Sequence, residues 1–166
     1  MALIYESNPK KDKTCCFTGH REIPLLQASH ITKKTREAIL ALYEKGVRYF
    51  GAGGAIGFDT IAAETVLELR ETVCPEIRLI LVLPCRDQTK SWKSESDLRR
   101  YAECMRLADK VVYTSESYHR GCMHVRNRHL VDQSAYCIAY LTKPSGGTAY
   151  TVDYAEQRGL TVIRIE

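Results

Sequence analysis

Glycine-rich segments follow three apolar runs of this sequence, and their residue types suit the binding of an anion. Glycine lets the backbone adopt a positive φ and lets a bulky anion approach main-chain N–H groups. A helix that begins after such a loop directs the positive end of its dipole to the same place. Each loop alone would also fit a tight turn, but together they predict a phosphate site. The segments are Thr18-Gly19-His20-Arg21, Gly51-Ala52-Gly53-Gly54-Ala55-Ile56-Gly57-Phe58-Asp59 and Ser145-Gly146-Gly147-Thr148.

The spacing of the glycines departs from the two commonest nucleotide-binding motifs. Gly51, Gly53 and Gly57 give G-x-G-x-x-x-G, which is not the dinucleotide fingerprint, and no P-loop lysine follows. The five histidines are scattered without the spacing of metal ligands. The sequence therefore predicts an anion site with neither a recognisable cofactor nor a metal.

Charged side chains near these loops could serve a ligand or a reaction. Arg126, in the segment Arg126-Asn127-Arg128, could grip a phosphate bidentately, or form a surface salt bridge. Asp59 opens a predicted helix, where an N-cap role is the simpler interpretation. Glu64, inside the same helix, fits a site carboxylate and a solvated helix face equally well.

Two further loops carry side chains that could line the same crevice. Trp92, the only tryptophan, could stack on a base or pack as a hydrophobic lid. Cys85 ends an apolar run, but no neighbouring base in the sequence supports a nucleophilic role. The segment Ser115-Glu116-Ser117-Tyr118 would add a carboxylate and a ring, although an ordinary polar loop is the simpler interpretation.

The segments that position these residues alternate between apolar runs and runs of helical period. Such alternation predicts an α/β domain with a doubly wound, mostly parallel sheet of about six strands and helices on both faces. The ligand crevice of such a sheet lies beyond the carboxyl ends of its strands. The predicted strands are 14–17, 47–50, 78–83, 110–113, 135–141 and 161–165, and the predicted helices are 32–45, 60–71, 95–107, 123–133 and 148–158.

Length and composition fit one globular domain in a reducing compartment. The chain has 166 residues, of which 45% are hydrophobic and 27% charged, and its net charge of +4 suits an anionic ligand. Residues 1–13 are polar and read as a loose leader, and residues 14–166 as a single domain. No apolar run is long enough for a membrane span, and the seven cysteines form no C-x-x-C pair. We expect a cytoplasmic protein without disulfides or a membrane partner.

The motifs resemble those of the YpsA-like family of small bacterial proteins, a family of unknown function within the SLOG superfamily. The resemblance implies a Rossmann-like fold, a nucleotide-derived ligand and a homodimer. It covers essentially Thr14 to Ile165. The segments that carry it are Thr14-Cys15-Cys16-Phe17-Thr18-Gly19-His20-Arg21, Gly53-Gly54-Ala55-Ile56-Gly57-Phe58-Asp59-Thr60, Leu81-Val82-Leu83-Pro84-Cys85, Gly121-Cys122-Met123 with Arg126-Asn127-Arg128, and Gly146-Gly147-Thr148-Ala149-Tyr150-Thr151-Val152.

Within the superfamily, the LOG phosphoribohydrolases cleave the bond between base and ribose in nucleoside monophosphates. Their motifs are similar to M-H-x-R-K and P-G-G-x-G-T-x-x-E, which Met123, His124 and Arg126 match in part. Thr151 occupies the position of the glutamate, and a threonine cannot stabilise an oxocarbenium-like transition state by charge. Asp153, Glu64 or Glu116 would have to replace it. The catalytic candidates are therefore Arg126, Glu64 and Glu116.

The DNA-processing protein A family carries a loop that resembles Gly53-Gly54-Ala55-Ile56-Gly57-Phe58-Asp59 and implies binding of single-stranded DNA. A single-strand groove needs a continuous basic track with stacking aromatics, whereas the basic residues here are dispersed. Nucleic acid therefore ranks below a small molecule as the partner.

The leading hypothesis is a protein that binds or senses a nucleotide-derived, phosphate-bearing ligand. A phosphoribohydrolase-like N-glycosidase and a single-stranded DNA-binding protein are the alternatives. The predicted ligand-binding residues are Gly19, His20, Arg21, Gly53, Gly54, Gly57, Asp59, Cys85, Trp92, Ser115, Glu116, Arg126, Asn127, Gly146, Gly147 and Thr148.

Overall fold

The computed structural model describes residues 9–166, and the predicted alternation of strands and helices is confirmed there. Two short 3-10 helices, Lys11–Lys13 and Leu25–Gln27, supplement the main elements. The strands are β1 Thr14–Gly19, β2 Tyr49–Ala52, β3 Arg78–Leu83, β4 Lys110–Tyr113, β5 Tyr136–Tyr140 and β6 Thr161–Arg164. The helices are α1 Ala28–Glu44, α2 Phe58–Thr72, α3 Glu95–Leu107, α4 Cys122–Asp132 and α5 Gly147–Gln157.

The strands form one parallel sheet in the order β4-β3-β2-β1-β5-β6. The chain moves outward from β1 to β4 and then returns to the other side of β1, where Cys137 of β5 lies opposite Cys16. The order of the strands thus reverses between β1 and β5. In a doubly wound sheet, this reversal opens a crevice at the carboxyl ends of the two strands.

Helices cover both faces of the sheet, as predicted. Phe17 packs in the larger core with α1, α2 and α3, whereas its neighbour Cys16 packs in a second core with α4 and α5. Successive residues of a strand point to opposite faces, so a strand covered on both sides is apolar throughout. This explains the unbroken apolar runs of the sequence.

The differences from the predicted elements lie at their ends. β1 continues two residues beyond Phe17, through Thr18 and Gly19, because both still pair with β5. α1 begins at Ala28, ahead of the predicted Thr32, because the 3-10 turn Leu25–Gln27 leads directly into it.

The predicted leader lies partly outside the described residues, which begin at residue 9. Within the described part of it, the Lys10 ammonium lies 5.0 Å from the centre of the Tyr49 ring. The Thr14 hydroxyl also donates a hydrogen bond to the Lys10 carbonyl over 2.7 Å. Over residues 9–166, no helix is long and apolar enough to cross a membrane.

Candidate functional site

A cleft of about 350 Å³ lies where the strand order reverses, at the carboxyl ends of β1 and β5. The loops after these strands form two of its walls, and the first turn of α4 forms a third. Its lining consists of Phe17, Thr18, Gly19, His20, Arg21, Ala55, Asp59, Met123, His124, Arg126, Asn127, Lys143, Ser145, Gly146, Gly147 and Thr148. The cleft therefore brings together the predicted loops after β1 and β5.

The N-terminus of α5 opens onto this cleft without a side-chain cap. Its N-cap residue is Gly146, with φ 105° and ψ −174°, which has no side chain that could accept a hydrogen bond from the first turn. A Cβ atom added at Gly146 or Gly147 would meet nothing within 4 Å, so the loop has open space around it. The first N–H groups of a helix have no intrahelical partner. These groups and the helix dipole therefore face the cleft and attract an anion.

His20 joins the loop after β1 to the loop after β5. Its Nε2 accepts a hydrogen bond from the Thr142 backbone N–H over 2.8 Å, and its ring packs edge-on against Tyr140 with centroids 5.5 Å apart. Burial and the nearby Lys143 lower the pKa of the imidazole from its ordinary value. A neutral ring that accepts at Nε2 carries its proton on Nδ1. His20 thus connects the two loops at the cleft and keeps one N–H donor.

Arg126 lies beneath the cleft and is only 4% exposed. Its Nη1 donates a hydrogen bond to the Gly53 carbonyl, and its Nε donates to Asn127 Oδ1 over 2.7 Å. Burial lowers the pKa of the guanidinium, while the carboxylate of Asp59 opposes that shift. The side chain therefore connects α4 to the loop after β2 as well as lining the cleft.

Asp59 is the buried carboxyl group of the cleft. Burial raises its pKa, and the charge of Arg126 works in the opposite direction. The N-cap interpretation is wrong, because α2 begins at Phe58 with Gly57 as its N-cap. Asp59 Oδ2 instead accepts a hydrogen bond from the Ala55 backbone N–H over 3.2 Å and so stabilises the preceding loop.

The glycines of the loop after β2 serve close packing between protein segments. A Cβ at Gly53 would lie 2.6 Å from Arg126 Nη1, and one at Gly54 would lie 2.5 Å from a methyl carbon of Leu83. Gly57 has φ +80°, and its Cβ would lie 2.3 Å from the Arg21 carbonyl oxygen. Of this loop, Ala55 rather than these glycines lines the cleft. The loop positions the site, while the open amides belong to the loop after β5.

Several predicted site residues have contacts elsewhere. Glu64 lines a different cavity, where Arg100 donates two hydrogen bonds to its carboxylate over 3.0 and 2.6 Å. Exposed Glu116 pairs with Arg86 at 2.9 Å. The Ser115 hydroxyl donates to the Ser117 carbonyl.

Cys85 and Trp92 are not among the residues that line the cleft. Cys85 is fully buried, and burial together with a hydrogen bond to Asp87 raises the pKa of its thiol to about 11. Such a thiol is a poor nucleophile at neutral pH. The Trp92 ring packs edge-on against Tyr101 with centroids 5.3 Å apart.

The cleft also contains residues that were not among the individually predicted ligand-binding residues, although Thr18 and Ser145 belong to the predicted glycine-rich segments. Lys143 and Ser145 belong to the loop before α5, and Thr18 ends the buried run of β1. His124 lines the cleft from α4, and its ring lies 4.8 Å from the ring of Tyr150, centroid to centroid. Thr18 and Ser145 lie next to the predicted Gly19 and Gly146, whereas His124 lies two residues before Arg126 and Lys143 three residues before Gly146. Closeness to predicted residues was thus the signal in the sequence.

The chemistry of the cleft favours an anion. Arg21, Lys143 and the α5 N-terminus supply positive charge and N–H donors, and Asp59 is the carboxyl-bearing residue of the lining. Over residues 9–166, no group of three His, Cys, Asp or Glu side chains could hold a metal ion.

Comparison with known proteins places these features in a family. The chain is 29% identical over 156 residues to a UPF0398 protein of Halalkalibacterium halodurans, covering 88% of this chain and 82% of that protein. It is 30% identical over 149 residues to a UPF0398 protein of Shouchella clausii, covering 84% and 79%. It is 24% identical over 135 residues to the UPF0398 protein YpsA of Bacillus subtilis, covering 78% and 72%.

Two solved structures share the fold. DNA processing protein A of Helicobacter pylori, described for its single-stranded DNA binding mode, superposes with a TM-score of 0.65 at 19% identity. The Streptococcus pneumoniae protein gives 0.66 at 18%. Both superpositions cover 93% of this chain, but only 66% and 50% of those longer chains.

The family model described as the YspA SLOG family, with the short name YpsA, matches residues 15–162. The match covers β1 through the beginning of β6, including every loop that lines the cleft. The chain therefore belongs to the YpsA family of SLOG proteins.

Proposed function

We propose that this protein binds or senses a nucleotide-derived ligand whose phosphate lies at the N-terminus of α5. The observation that carries the proposal is the uncapped first turn of α5, which opens onto a cleft lined by Lys143, Arg21 and His20. Membership of a SLOG family supports binding related to nucleotides or DNA in general. The free cysteines at all seven positions fit a reducing compartment, which we take to be the cytoplasm.

In the proposed complex the phosphate accepts hydrogen bonds from the backbone amides of Gly147 and Thr148. Lys143 and Ser145 lie in the same loop and line the same cleft, so they add a cation and a hydroxyl donor. Charge-assisted hydrogen bonds of this kind are roughly twice as strong as neutral ones. The proposed arrangement favours an anion at the N-terminus of α5. The rest of the cleft remains open for the nucleoside part that is attached to the phosphate.

A pair of rings at the rim provides a surface for an aromatic base. Tyr150 follows the first turn of α5, is 43% exposed and packs edge-on against His124. Helical side chains lean toward the N-terminus of their helix, so the Tyr150 ring leans toward the proposed phosphate position. Stacking of a base on an aromatic side chain contributes about 1–3 kcal/mol. A nucleotide would satisfy both the amides and the ring.

Hydrolysis of a nucleotide is the less favoured alternative, because the candidate carboxylates lie elsewhere. Glu64 is paired with Arg100 and Glu116 with Arg86. The hydroxyl of Thr151 donates to the Gly147 carbonyl over 2.9 Å and so completes the turn. Asp153 Oδ2 accepts a hydrogen bond from Gln157 on the exposed side of α5. A hydrolytic reaction in this cleft would depend on Asp59.

Binding of a single DNA strand is the second candidate. The observation in its favour is that Arg128 donates a hydrogen bond to the exposed Tyr150 hydroxyl over 3.3 Å, which places a cation and a ring together at the rim. The solved neighbours are DNA processing proteins, one of which is described as binding single-stranded DNA. A strand would need such groups to continue beyond the cleft, and so this function ranks second.

Calorimetric titration with adenosine monophosphate, ribose 5-phosphate, inorganic phosphate and a short thymidine oligonucleotide tests the proposal. We expect the monophosphate to bind, and Lys143→Ala to weaken it at least about fivefold, since charged hydrogen bonds contribute about 1.5–3 kcal/mol. Lys45→Ala is the matched control, because Lys45 is an exposed lysine at the C-terminus of α1, away from the cleft. Equal affinity in both variants would contradict the site. Oligonucleotide binding with a steep salt dependence, without monophosphate binding, would favour the DNA function.

A further inference from the structure

Asp59 combines deep burial with one unpaired carboxylate oxygen. The residue is 7% exposed, and its Oδ2 accepts a hydrogen bond from the Ala55 backbone N–H over 3.2 Å. Within residues 9–166, no group donates a hydrogen bond to the other oxygen, Oδ1. Buried polar atoms in proteins are normally hydrogen-bonded, so an unpaired carboxylate oxygen indicates a place for a partner from outside the chain.

The unpaired oxygen is accessible from the cleft. In the part of the chain that the structure describes, Gln88 Oε1 is the one completely buried side-chain nitrogen or oxygen without a hydrogen bond, so Asp59 Oδ1 is not sealed inside the protein. Asp59 lines the cleft between the loops after β1 and β5. Its Oδ1 therefore offers a hydrogen-bond acceptor to a ligand in that cleft.

Neighbouring groups orient this carboxyl group. Burial raises its pKa, while the charge of Arg126 and the Ala55 N–H work in the opposite direction and favour the carboxylate. Arg126 and Asp59 approach the same glycine, because a Cβ at Gly53 would lie 2.6 Å from Arg126 Nη1 and 2.8 Å from Asp59 Oδ2. The acceptor is thus held in position by the protein before a ligand binds.

A carboxylate in a cleft that attracts phosphate must face a neutral part of the ligand. Like charges repel, so the phosphate at the N-terminus of α5 and the Asp59 carboxylate stay apart. A nucleotide has two kinds of neutral donor, the hydroxyls of its ribose and the amino groups of its base. In the proposed complex the base lies at the rim beside Tyr150, which is 43% exposed, whereas Asp59 is buried next to Arg126. The ribose, which joins the phosphate to the base, is the part that reaches Asp59.

We propose, on the basis of the function proposed above, that Asp59 Oδ1 accepts a hydrogen bond from a ribose hydroxyl and makes the cleft selective for ribonucleotides. A free ribonucleotide supplies a 2′- and a 3′-hydroxyl at this position. Within a DNA strand the 2′ carbon carries no hydroxyl and the 3′ oxygen is esterified, so the sugar has no donor for Asp59. Asp59 is therefore a specificity determinant that favours a small ribonucleotide over DNA.

Calorimetric titration of the wild type with adenosine monophosphate and 2′,3′-dideoxyadenosine monophosphate tests the proposal. We expect the dideoxy compound to bind at least about tenfold more weakly, because it leaves a hydrogen bond to a charged group unmade. Inosine monophosphate, which lacks the amino group of the base, should bind as adenosine monophosphate does.

The outcomes separate this inference from the proposed function. Equal binding of adenosine monophosphate and its dideoxy analogue would overturn the role of Asp59 and leave the phosphate site intact. Weaker binding of inosine monophosphate alone would assign the acceptor to the base and would also overturn the proposal. Absence of binding by every nucleotide would contradict the proposed function itself, and this inference with it.

The variant Asp59→Asn connects the selectivity to the residue. Its amide oxygen can keep the hydrogen bond from the Ala55 N–H, while its NH₂ group replaces Oδ1. We expect this variant to bind the two adenosine ligands with nearly equal affinity, since the charged acceptor that distinguishes them is gone. Asp12→Asn is the matched control and should keep the wild-type ratio, because Asp12 is exposed on the 3-10 helix before β1. A purely structural role would weaken both ligands alike, so an unchanged ratio in Asp59→Asn would overturn the proposal.

Discussion

The guanidinium of Arg126 donates a hydrogen bond to the backbone carbonyl of Gly53 and so connects α4 to the loop after β2 beneath the cleft. This contact changes the role expected of Arg126. A guanidinium available for phosphate would be solvent-exposed, but this one is buried and already hydrogen-bonded to Gly53 and Asn127. Substitution should therefore affect the fold as well as the ligand.

We expect Arg126→Met, which removes the donors but retains much of the volume, to lower the free energy of unfolding by about 1–3 kcal/mol, since it leaves the Gly53 carbonyl with only a 3.4 Å hydrogen bond from Gln88 and removes the cation beside the buried Asp59. Urea denaturation followed by circular dichroism measures this change. Arg128→Met is the control, because Arg128 makes its contact to Tyr150 at the exposed rim. It should change stability by less than about 0.5 kcal/mol. An Arg126→Met variant as stable as the wild type would exclude the structural role.

Gly57 allows the loops after β1 and β2 to pack against each other. Its φ is +80°, and a Cβ would lie 2.3 Å from the Arg21 carbonyl oxygen. Gly159 has nearly the same φ, +82°, but a Cβ there would meet nothing within 4 Å. Comparison of the two alanine variants therefore separates the cost of the contact from that of the backbone conformation.

We expect Gly57→Ala to lower the free energy of unfolding by at least about 1 kcal/mol more than Gly159→Ala does, because overpacking costs about 1–3 kcal/mol. Thermal and urea unfolding of the two variants provide the measurement. Equal losses would mean that the two loops separate easily, and that Gly57 is required only for its φ.

These contacts also show what the sequence could predict. The order of strands and helices followed from apolar periodicity, because the central strands β1, β2, β3 and β5 are buried on both faces and each helix packs one face against the sheet, while the edge strands β4 and β6 are only partly buried. The loops at the carboxyl ends followed from the topology. The roles of Gly53, Gly54 and Gly57 could not be predicted in this way. Glycine is required both where an anion approaches the backbone closely and where protein atoms do, so the residue type alone does not tell the two cases apart. The two cases are distinguished only by the structure, which shows the atoms that a Cβ added at each glycine would meet.

The pairing of charged side chains was equally beyond the sequence. Glu64 meets Arg100, which lies 36 residues further along the chain, and Glu116 meets Arg86 across two loops. No local pattern specifies such contacts. Lys143 and His124 lie close to predicted residues, but their direction depends on how α4 and α5 pack together.

His20 makes the stability of the cleft dependent on pH. Burial and Lys143 lower its pKa in the folded state below the ordinary value of 6.5, so the unfolded chain binds the proton more readily. The contribution of neutral His20 is therefore complete above the unfolded pKa and is lost as the pH falls below it. Protonation also removes the acceptor for the Thr142 N–H.

We expect His20→Gln, which cannot be protonated, to lose less stability than the wild type between neutral and mildly acidic pH. Burial also lowers the pKa of His129, but this group titrates in both proteins and cancels in the difference. Melting temperatures measured over this range provide the test. If the two curves remain parallel, His20 does not have the protonation state described above.

The proposed base-binding surface can be tested independently of the phosphate site. Tyr150→Ala removes the ring beside His124, whereas Tyr150→Phe removes only the hydroxyl that contacts Arg128. Because stacking contributes about 1–3 kcal/mol per base, we expect Tyr150→Ala to weaken adenosine monophosphate by roughly 5- to 150-fold. Tyr150→Phe should bind nearly as the wild type does, and ribose 5-phosphate, which has no base, should bind all three proteins equally. Equal losses for both ligands in Tyr150→Ala would show that the ring supports the phosphate loop rather than a base. Absence of binding of either ligand to the wild type would instead contradict the phosphate site itself, because the α5 amides are common to both complexes.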